Sequence, residues 1–87
     1  MVSKTLTLGV KAGLHARPAG ILCKAATGCT CSVKIQLNEK LIEVKSILNI
    51  MAAAIKCGTE FELQCDGENE EESLAMLCDL IENGLGE

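Results

Sequence analysis

The sequence is poor in the side chains that most binding and catalytic sites use. Its 87 residues include one Phe, no Trp and no Tyr, with one His, one Arg and one Pro. A single Phe cannot build the stacking platforms that bind single-stranded nucleic acid, and a single imidazole excludes a metal site with several histidine ligands. No run of twenty apolar residues is present, so no membrane insertion is expected. The net charge of −4 argues against direct binding to nucleic-acid phosphates.

The N-terminal segment lacks a signal for export. Residues 1–7 alternate apolar and polar side chains, without the apolar block of a secretory signal peptide. The hydrophobic fraction of 48% disfavours disorder, and the length suits one domain. These features predict a single domain over residues 1–87 in a cytoplasmic protein.

Charge is divided unevenly along the chain. Residues 1–45 carry seven basic and two acidic side chains, net +5, whereas residues 46–87 carry one basic residue, Lys56, and ten acidic ones, net −9. Such asymmetry is typical of proteins that dock through electrostatic attraction. An acidic half that only solvates a helix and a strand edge remains the alternative.

The six cysteines allow three interpretations. A disulfide framework would be expected in a secreted protein, but the sequence shows no signal peptide. The pair in Cys29-Thr30-Cys31 lacks the spacing of a zinc-binding pair. We therefore expect mostly small, buried, reduced thiols, and Cys65 and Cys78 fit the apolar phase of their elements. A small thiol- or metal-binding module that uses Cys29 and Cys31 remains the alternative.

Hydrophobic periodicity predicts seven elements in the order β-α-β-β-α-β-α. The strands are predicted over residues 2–8, 32–37, 41–44 and 60–65. The helices are predicted over residues 16–27, from Ser46 to a stop at Gly58, and from a cap at 69–72 to Gly84. Because each strand has one apolar face, we expect an α+β, open-faced two-layer sandwich. Its four-stranded, mainly antiparallel sheet would carry three helices on one face.

The start of the first predicted helix groups residues that suit phosphate chemistry. Pro18 falls in the first turn, where a missing N–H costs nothing, and this places His15 at the N-cap. The positive end of the helix dipole disfavours a charged imidazolium and so favours a neutral nucleophile. A phosphoryl group on His15 would meet backbone N–H groups and the guanidinium of Arg17. A binding domain in which an inert His15 only caps the helix remains the alternative.

Ser46 precedes the second apolar stripe. As a residue type it is a good N-cap, and a phosphate there would be tolerated at the helix N-terminus. The acidic run over residues 66–72 lacks the spacing of a calcium-binding loop, so no metal site is expected. The residues of the stripe, expected on one helical face, are Ile47, Ile50, Met51, Ala54 and Ile55.

Two segments resemble the signatures of one family. Gly13-Leu14-His15-Ala16-Arg17-Pro18-Ala19 resembles the active-site motif of HPr, the histidine phosphocarrier of the bacterial sugar phosphotransferase system. Lys45-Ser46-Ile47-Leu48-Asn49-Ile50-Met51 resembles the second signature of the family, around its regulatory serine. Chain length, element order and the separation of the motifs are similar too, so the resemblance covers essentially the whole chain.

The resemblance implies a monomeric phosphocarrier, not an enzyme, without a cofactor. His15 would accept a phosphoryl group on Nδ1 from phosphorylated enzyme I, which phosphoenolpyruvate charges, and pass it to a histidine of the IIA domains of sugar permeases. Arg17 would neutralise the phosphate, and Lys24 and Lys45 would join it near His15. The expected partner-binding residues are Ala16, Lys24, Lys45, Ile47, Leu48 and Met51.

The second signature implies regulation. In the Gram-positive branch of the family, an ATP-dependent HPr kinase/phosphorylase modifies the serine that corresponds to Ser46. The modified form accepts phosphate more slowly and is co-repressor for a catabolite-control transcription factor. The sequence departs from the family pattern at Thr27 and Asn49, which are not basic although some members are basic there, and Asn49 also stands where many members have Gly. A paralogue in a nitrogen-related or regulatory phosphorelay is the alternative, and the intact His15 weighs against a serine-only regulator.

Overall fold

The computed structural model describes residues 1–86 and contains seven elements in the predicted order. Most boundaries lie within one or two residues of those that periodicity predicts. The elements are β1 (Val2–Thr7), α1 (Ala16–Thr27), β2 (Ser32–Leu37), β3 (Lys40–Glu43), α2 (Ile47–Ala53), β4 (Glu60–Asp66) and α3 (Glu70–Glu82).

The four strands form one antiparallel sheet in the order β1-β4-β2-β3. The central strand β4 pairs with β1 and β2, while β1 and β3 form the edges. The register places Leu6 opposite Phe61 and Leu63 opposite Ile35. Since side chains alternate between faces along a strand, this register gathers the apolar residues of neighbouring strands on one face.

The helices cover that apolar face, which confirms the predicted α+β open-faced sandwich. Helix α3 packs on β1 and β4, α2 packs on β3, and α1 contacts both other helices. Burial of each large aliphatic side chain contributes roughly 1.5–3 kcal/mol to folding. None of the helices in residues 1–86 has the length and apolar character needed to cross a bilayer. Completely buried core side chains include Leu22, Ile35, Ile50, Leu63 and Leu77.

Helix α2 ends earlier than its sequence pattern predicts. The stripe was expected to continue through Ile55 to a stop at Gly58, but α2 ends at Ala53. Ala54 adopts the left-handed conformation, with φ 52° and ψ 47°. Ile55 is nevertheless buried, because the chain turns it into the core from a loop and not from a further helical turn.

The cysteines are less uniformly buried than expected. Cys31, Cys65 and Cys78 are buried, Cys23 and Cys29 are half-buried and Cys57 is exposed, so burial holds for three of the six, whereas all six are free thiols as expected. Burial and, to a smaller extent, the neighbouring Cys31 thiol raise the pKa of Cys65 to about 12. Such a thiol stays protonated and unreactive at neutral pH. Within residues 1–86, no three potential ligands are grouped as a metal site would require.

Candidate functional site

His15 occupies the N-cap of α1, as the sequence predicts. Its backbone is extended, with φ −82° and ψ −171°, and its carbonyl oxygen accepts a 2.9 Å hydrogen bond from the N–H of Ala19. The side chain of His15 is exposed, as are those of Ala16 and Arg17. The imidazole therefore lies where a second protein can reach it.

The first turn of α1 can hold an anion next to His15. The N–H groups of Ala16 and Arg17 precede the first intrahelical hydrogen bond, and the buried Pro18 has no N–H at all. No acidic side chain lies in this turn. The positive end of the helix dipole and the two amides therefore favour a negatively charged group at this position.

A surface depression of about 340 Å³ lies beside His15. It forms where the loop between β1 and α1 meets the segment that follows α2. Most of its wall is apolar, and Lys56 supplies a positive charge at the rim. The residues around it are Ala12, Leu14, His15, Met51, Ala54, Ile55 and Lys56.

Backbone contacts fix these two segments to each other. The N–H of Leu14 donates a 2.8 Å hydrogen bond to the carbonyl oxygen of Ile55. Gly13 has φ +77°, and a Cβ at this position would lie 2.8 Å from the same oxygen. Only glycine therefore combines this backbone conformation with so close an approach. The residue before His15 is held by a segment that is distant in the sequence.

The site is built from segments that carry no carboxylate. Residues 1–38 and residues 44–59 contain neither Asp nor Glu, and all parts of the site lie within them. Within residues 1–86, the cations Arg17 and Lys56 form no salt bridge. The residues that line the depression and the first turn of α1 therefore include the cations Lys56 and Arg17 and no carboxylate, which favours a negatively charged ligand there.

Ser46 caps α2 on the neighbouring part of the surface. Its Oγ accepts a 3.4 Å hydrogen bond from the N–H of Asn49. The Cδ1 of Ile47 lies 3.6 Å from the position of a Cβ on Gly20, so α2 begins directly against α1. The predicted side-chain cap is thus present, and it lies close to the helix that bears His15.

The exposed side of α2 is apolar. Ile47, Leu48 and Met51 are 38%, 76% and 41% exposed, respectively; we call these three residues the α2 patch. Ile50, in contrast, is the residue of α2 that faces the core, so the apolar residues of the predicted stripe are divided between the core and the surface. Met51 also borders the depression beside His15, so the α2 patch and the His15 surface are continuous.

The structure separates Lys24 and Lys45 from His15, contrary to expectation. Lys24 lies in the last turn of α1, which places it roughly 14 Å along the axis from the N-cap. The Nζ of Lys45 donates a 3.1 Å hydrogen bond to the carbonyl oxygen of Cys29, just beyond the same helix end. Sequence reasoning gave no site role to Lys56, although it is the one basic residue of the acidic half.

The comparison with known proteins agrees with this arrangement. A family model described as the PTS HPr component phosphorylation site matches residues 2–83. The chain is 47% identical over 64 residues to phosphocarrier protein HPr of Mycoplasma capricolum, covering 74% of this chain and 72% of that protein. It is 34% identical over 82 residues to HPr-like protein Crh of Bacillus subtilis, covering 94% and 96%.

A solved structure extends the agreement to the whole fold. HPr-C-His from Thermoanaerobacter tengcongensis superposes with a TM-score of 0.95 at 34% identity, covering 100% of this chain and 98% of that one. The family match, the relatives and the exposed N-cap histidine agree with one another. The chain therefore belongs to the HPr family, the phosphocarrier proteins of the phosphotransferase system, which are not enzymes.

Proposed function

We propose that this protein accepts a phosphoryl group on Nδ1 of His15 from phosphorylated enzyme I and passes it to IIA domains of sugar permeases. It does so in the cytoplasm and without a cofactor. The observation that carries the proposal is the exposed imidazole at the positive end of α1, on a surface built from segments free of carboxylates. The intact His15 also favours a carrier over a regulator that uses Ser46 alone.

The transfer is an in-line displacement at phosphorus. The Nδ1 lone pair of His15 forms a bond to phosphorus while the bond to the donor's leaving group breaks. The N–H groups of Ala16 and Arg17 and the Arg17 guanidinium contact the phosphoryl oxygens and stabilise their charge. The same steps run in reverse when a IIA histidine takes the group away, so the carrier needs only positioning and charge stabilisation.

The partners bind over the α2 patch and the exposed N-terminus of α1, including Ala16. The patch supplies apolar contacts, whereas the cations around His15 speed encounter with an acidic partner. Lys24 and Lys45 extend the basic surface to the other end of α1, where they serve as docking charges and not as phosphate ligands. The protein acts as a monomer, because this surface must stay open to successive partners; sedimentation equilibrium tests its mass.

Ser46 is the proposed regulatory site, modified by an HPr kinase/phosphorylase. Its Oγ lies at the start of α2, beside Ile47 of the α2 patch. A phosphate adds a charge of about −1.5 to −2, which repels an acidic partner from a surface that is otherwise apolar and basic. The protein phosphorylated on Ser46 accepts a phosphoryl group on His15 more slowly. It also binds a catabolite-control transcription factor, and this binding links the carrier to carbon catabolite repression.

Intact mass spectrometry tests the carrier role directly. Incubation with phosphoenolpyruvate and enzyme I should add one acid-labile phosphoryl group to the wild-type protein and none to His15→Ala. Arg17→Gln should slow the transfer about tenfold, since a charge-assisted hydrogen bond contributes about 1.5 kcal/mol. Lys34→Gln, on the uncovered face of the sheet, is the matched control. Absence of label on the wild-type protein, with an active enzyme I, contradicts the proposal.

A pair of Ser46 variants separates the charge from the cap. Ser46→Asp keeps an acceptor for the N–H of Asn49 and adds a negative charge, so it should fold with wild-type stability and accept phosphate about fivefold more slowly. Ser46→Ala should lose about 1 kcal/mol of unfolding free energy yet accept phosphate at the wild-type rate. Equal transfer rates for the two variants contradict the regulatory role.

A further inference from the structure

We propose that Lys56 is a second cationic ligand of the phosphoryl group on His15, in addition to Arg17. The inference rests on the proposed carrier function and adds a residue that contacts the transferred group. Lys56 lies about forty positions from His15 in the sequence, and the fold brings the two residues to the rim of the same depression.

The backbone of Lys56 packs against the segment that carries His15. A Cβ on Gly13 would lie 3.3 Å from the Cα of Lys56. The preceding residue, Ile55, accepts the 2.8 Å hydrogen bond from the N–H of Leu14. The backbone of Lys56 is thus in contact with the chain two residues before His15, which fixes the Cα of Lys56 relative to the loop that leads to His15.

The loop that bears Lys56 is also anchored to Leu8, the residue that follows β1. The carbonyl oxygen of Lys56 accepts a 3.1 Å hydrogen bond from the N–H of Thr59. The N–H of Gly58 donates a 2.8 Å hydrogen bond to the carbonyl oxygen of Leu8. The N–H of Leu8 donates a 2.9 Å hydrogen bond to the carbonyl oxygen of Thr59. An ordered backbone therefore carries an exposed, flexible ammonium, a combination that suits a charge meeting a transient ligand.

Charge placement supports a functional role for Lys56. It is the one basic residue among residues 46–87, and within residues 1–86 it forms no salt bridge that would explain it structurally. Arg17 belongs to α1 and does not border the depression, whereas Lys56 does. The two cations therefore belong to different parts of the fold, and lysine is an effective point-charge ligand for phosphate.

The competing role for Lys56 is contact with the acidic surface of a partner. The two roles differ thermodynamically, because the equilibrium constant for transfer between separated proteins does not depend on how tightly they dock. A ligand of the phosphoryl group changes that constant, since it stabilises the phosphorylated carrier. A docking contact changes only the KM for the partner.

The test is the equilibrium distribution of the phosphoryl group between enzyme I and this protein, measured by intact mass. Lys56→Gln should shift the distribution about two- to fivefold toward enzyme I, the range expected for one exposed charge interaction. Lys56→Arg should restore the wild-type value, and Lys34→Gln should leave it unchanged. Because Lys56 is exposed, the thermal unfolding midpoint of each variant should equal that of the wild type.

The outcomes separate this inference from the proposed function. A Lys56→Gln variant with a raised KM and a wild-type equilibrium constant overturns the inference while the carrier function stands. An equilibrium shift that Lys56→Arg fails to restore also overturns it. A wild-type protein that takes up no phosphoryl group defeats the carrier function itself and the inference with it.

Discussion

The N–H of Leu14 donates a 2.8 Å hydrogen bond to the carbonyl oxygen of Ile55. This contact joins the residue before His15 to the segment that follows α2. The position of the imidazole therefore depends on a stretch of chain about forty residues away, which also carries Lys56. Changes in that stretch should alter phosphoryl transfer without touching His15.

Gly13→Ala should disturb this arrangement. The new Cβ would lie 2.8 Å from the carbonyl oxygen of Ile55, at a backbone φ of +77°. We expect a loss of about 1–3 kcal/mol in unfolding free energy and slower phosphorylation of His15, measured by urea denaturation and transfer kinetics. Gly9→Ala is the matched control, because a Cβ there meets no atom within 4 Å. Equal stability of the two variants would refute the close contact.

Ala54→Gly should stabilise the protein. Ala54 adopts the left-handed conformation at the end of α2, which costs a residue with a Cβ about 1–2 kcal/mol. Glycine removes this cost but is more flexible when unfolded, so we expect a net gain of about 1 kcal/mol in denaturation experiments. Ala52→Gly, inside α2, should instead lose about 0.5–1 kcal/mol. A loss in both variants would contradict the left-handed cap.

Ellman's reagent should modify Cys57 before the other thiols. Cys57 is exposed, whereas Cys31 and Cys65 are 1% and 0% exposed. Burial raises the pKa of Cys65 to about 12, so almost none of its reactive thiolate exists at pH 8. We expect one fast phase, which Cys57→Ser removes, and reaction of the buried thiols after addition of denaturant. Persistence of the fast phase in Cys57→Ser would place another thiol at the surface.

Glu70 should stabilise the protein at neutral pH, and protonation of its carboxylate in acid should remove this contribution to the free energy of unfolding. Its carboxylate accepts a 2.9 Å hydrogen bond from the N–H of Gly67 and lies 3.3 Å from the amino group of Met1. The backbone hydrogen bond foremost, and then the amino group, hold the pKa of Glu70 below its ordinary value of 4.5. The carboxylate therefore stabilises the fold above pH 4.5, and the contribution is lost as the pH falls through the lowered pKa.

Glu70→Gln should accordingly reduce the difference in unfolding free energy between pH 7 and pH 3. Urea denaturation at several pH values measures this difference. Glu71→Gln removes the adjacent charge from the first turn of α3 and controls for the helix dipole. An unchanged pH dependence in Glu70→Gln would show that the hydrogen bond to Gly67 contributes nothing.

Sequence patterns predict the elements well where local signals flank them on both sides. Helix α1 lies between the cap at His15 and Gly28, and Val33 and Ile35 alternate with polar residues in β2. These signals arise from side-chain periodicity and capping, which act over a few residues. The fold class followed from them, because each strand has one apolar face that a helix must cover.

The end of α2 was beyond such reasoning. Ala54 is a strong helix former, yet the helix ends before it. The next residue, Ile55, is buried in the core, and the carbonyl oxygen of Ile55 accepts a hydrogen bond from the N–H of Leu14. Both are long-range contacts.

The cationic residues of the site were only partly predictable. Arg17 follows His15 by two residues, so its place in the first turn of α1 could be predicted from the sequence motif itself. Lys24 and Lys45 were grouped with it by family resemblance, whereas the fold places them at the opposite end of α1. Lys56 had a sequence signal, since it is the one basic residue among residues 46–87, but its nearness to His15 depends on the packing of two loops.

Pro18 in the first turn limits the number of backbone hydrogen bonds that the N-terminus of α1 can donate to a phosphate. A phosphoryl group presents three terminal oxygens, but Pro18 has no N–H, so the first helical positions donate only through Ala16 and Arg17. At least one oxygen is left for a mobile side chain or for the next protein. Incomplete coordination suits a phosphocarrier, because a phosphoryl group with all its oxygens coordinated would be too stable to transfer onward. A phosphoryl group with fewer contacts can be transferred when the next protein supplies the missing ones.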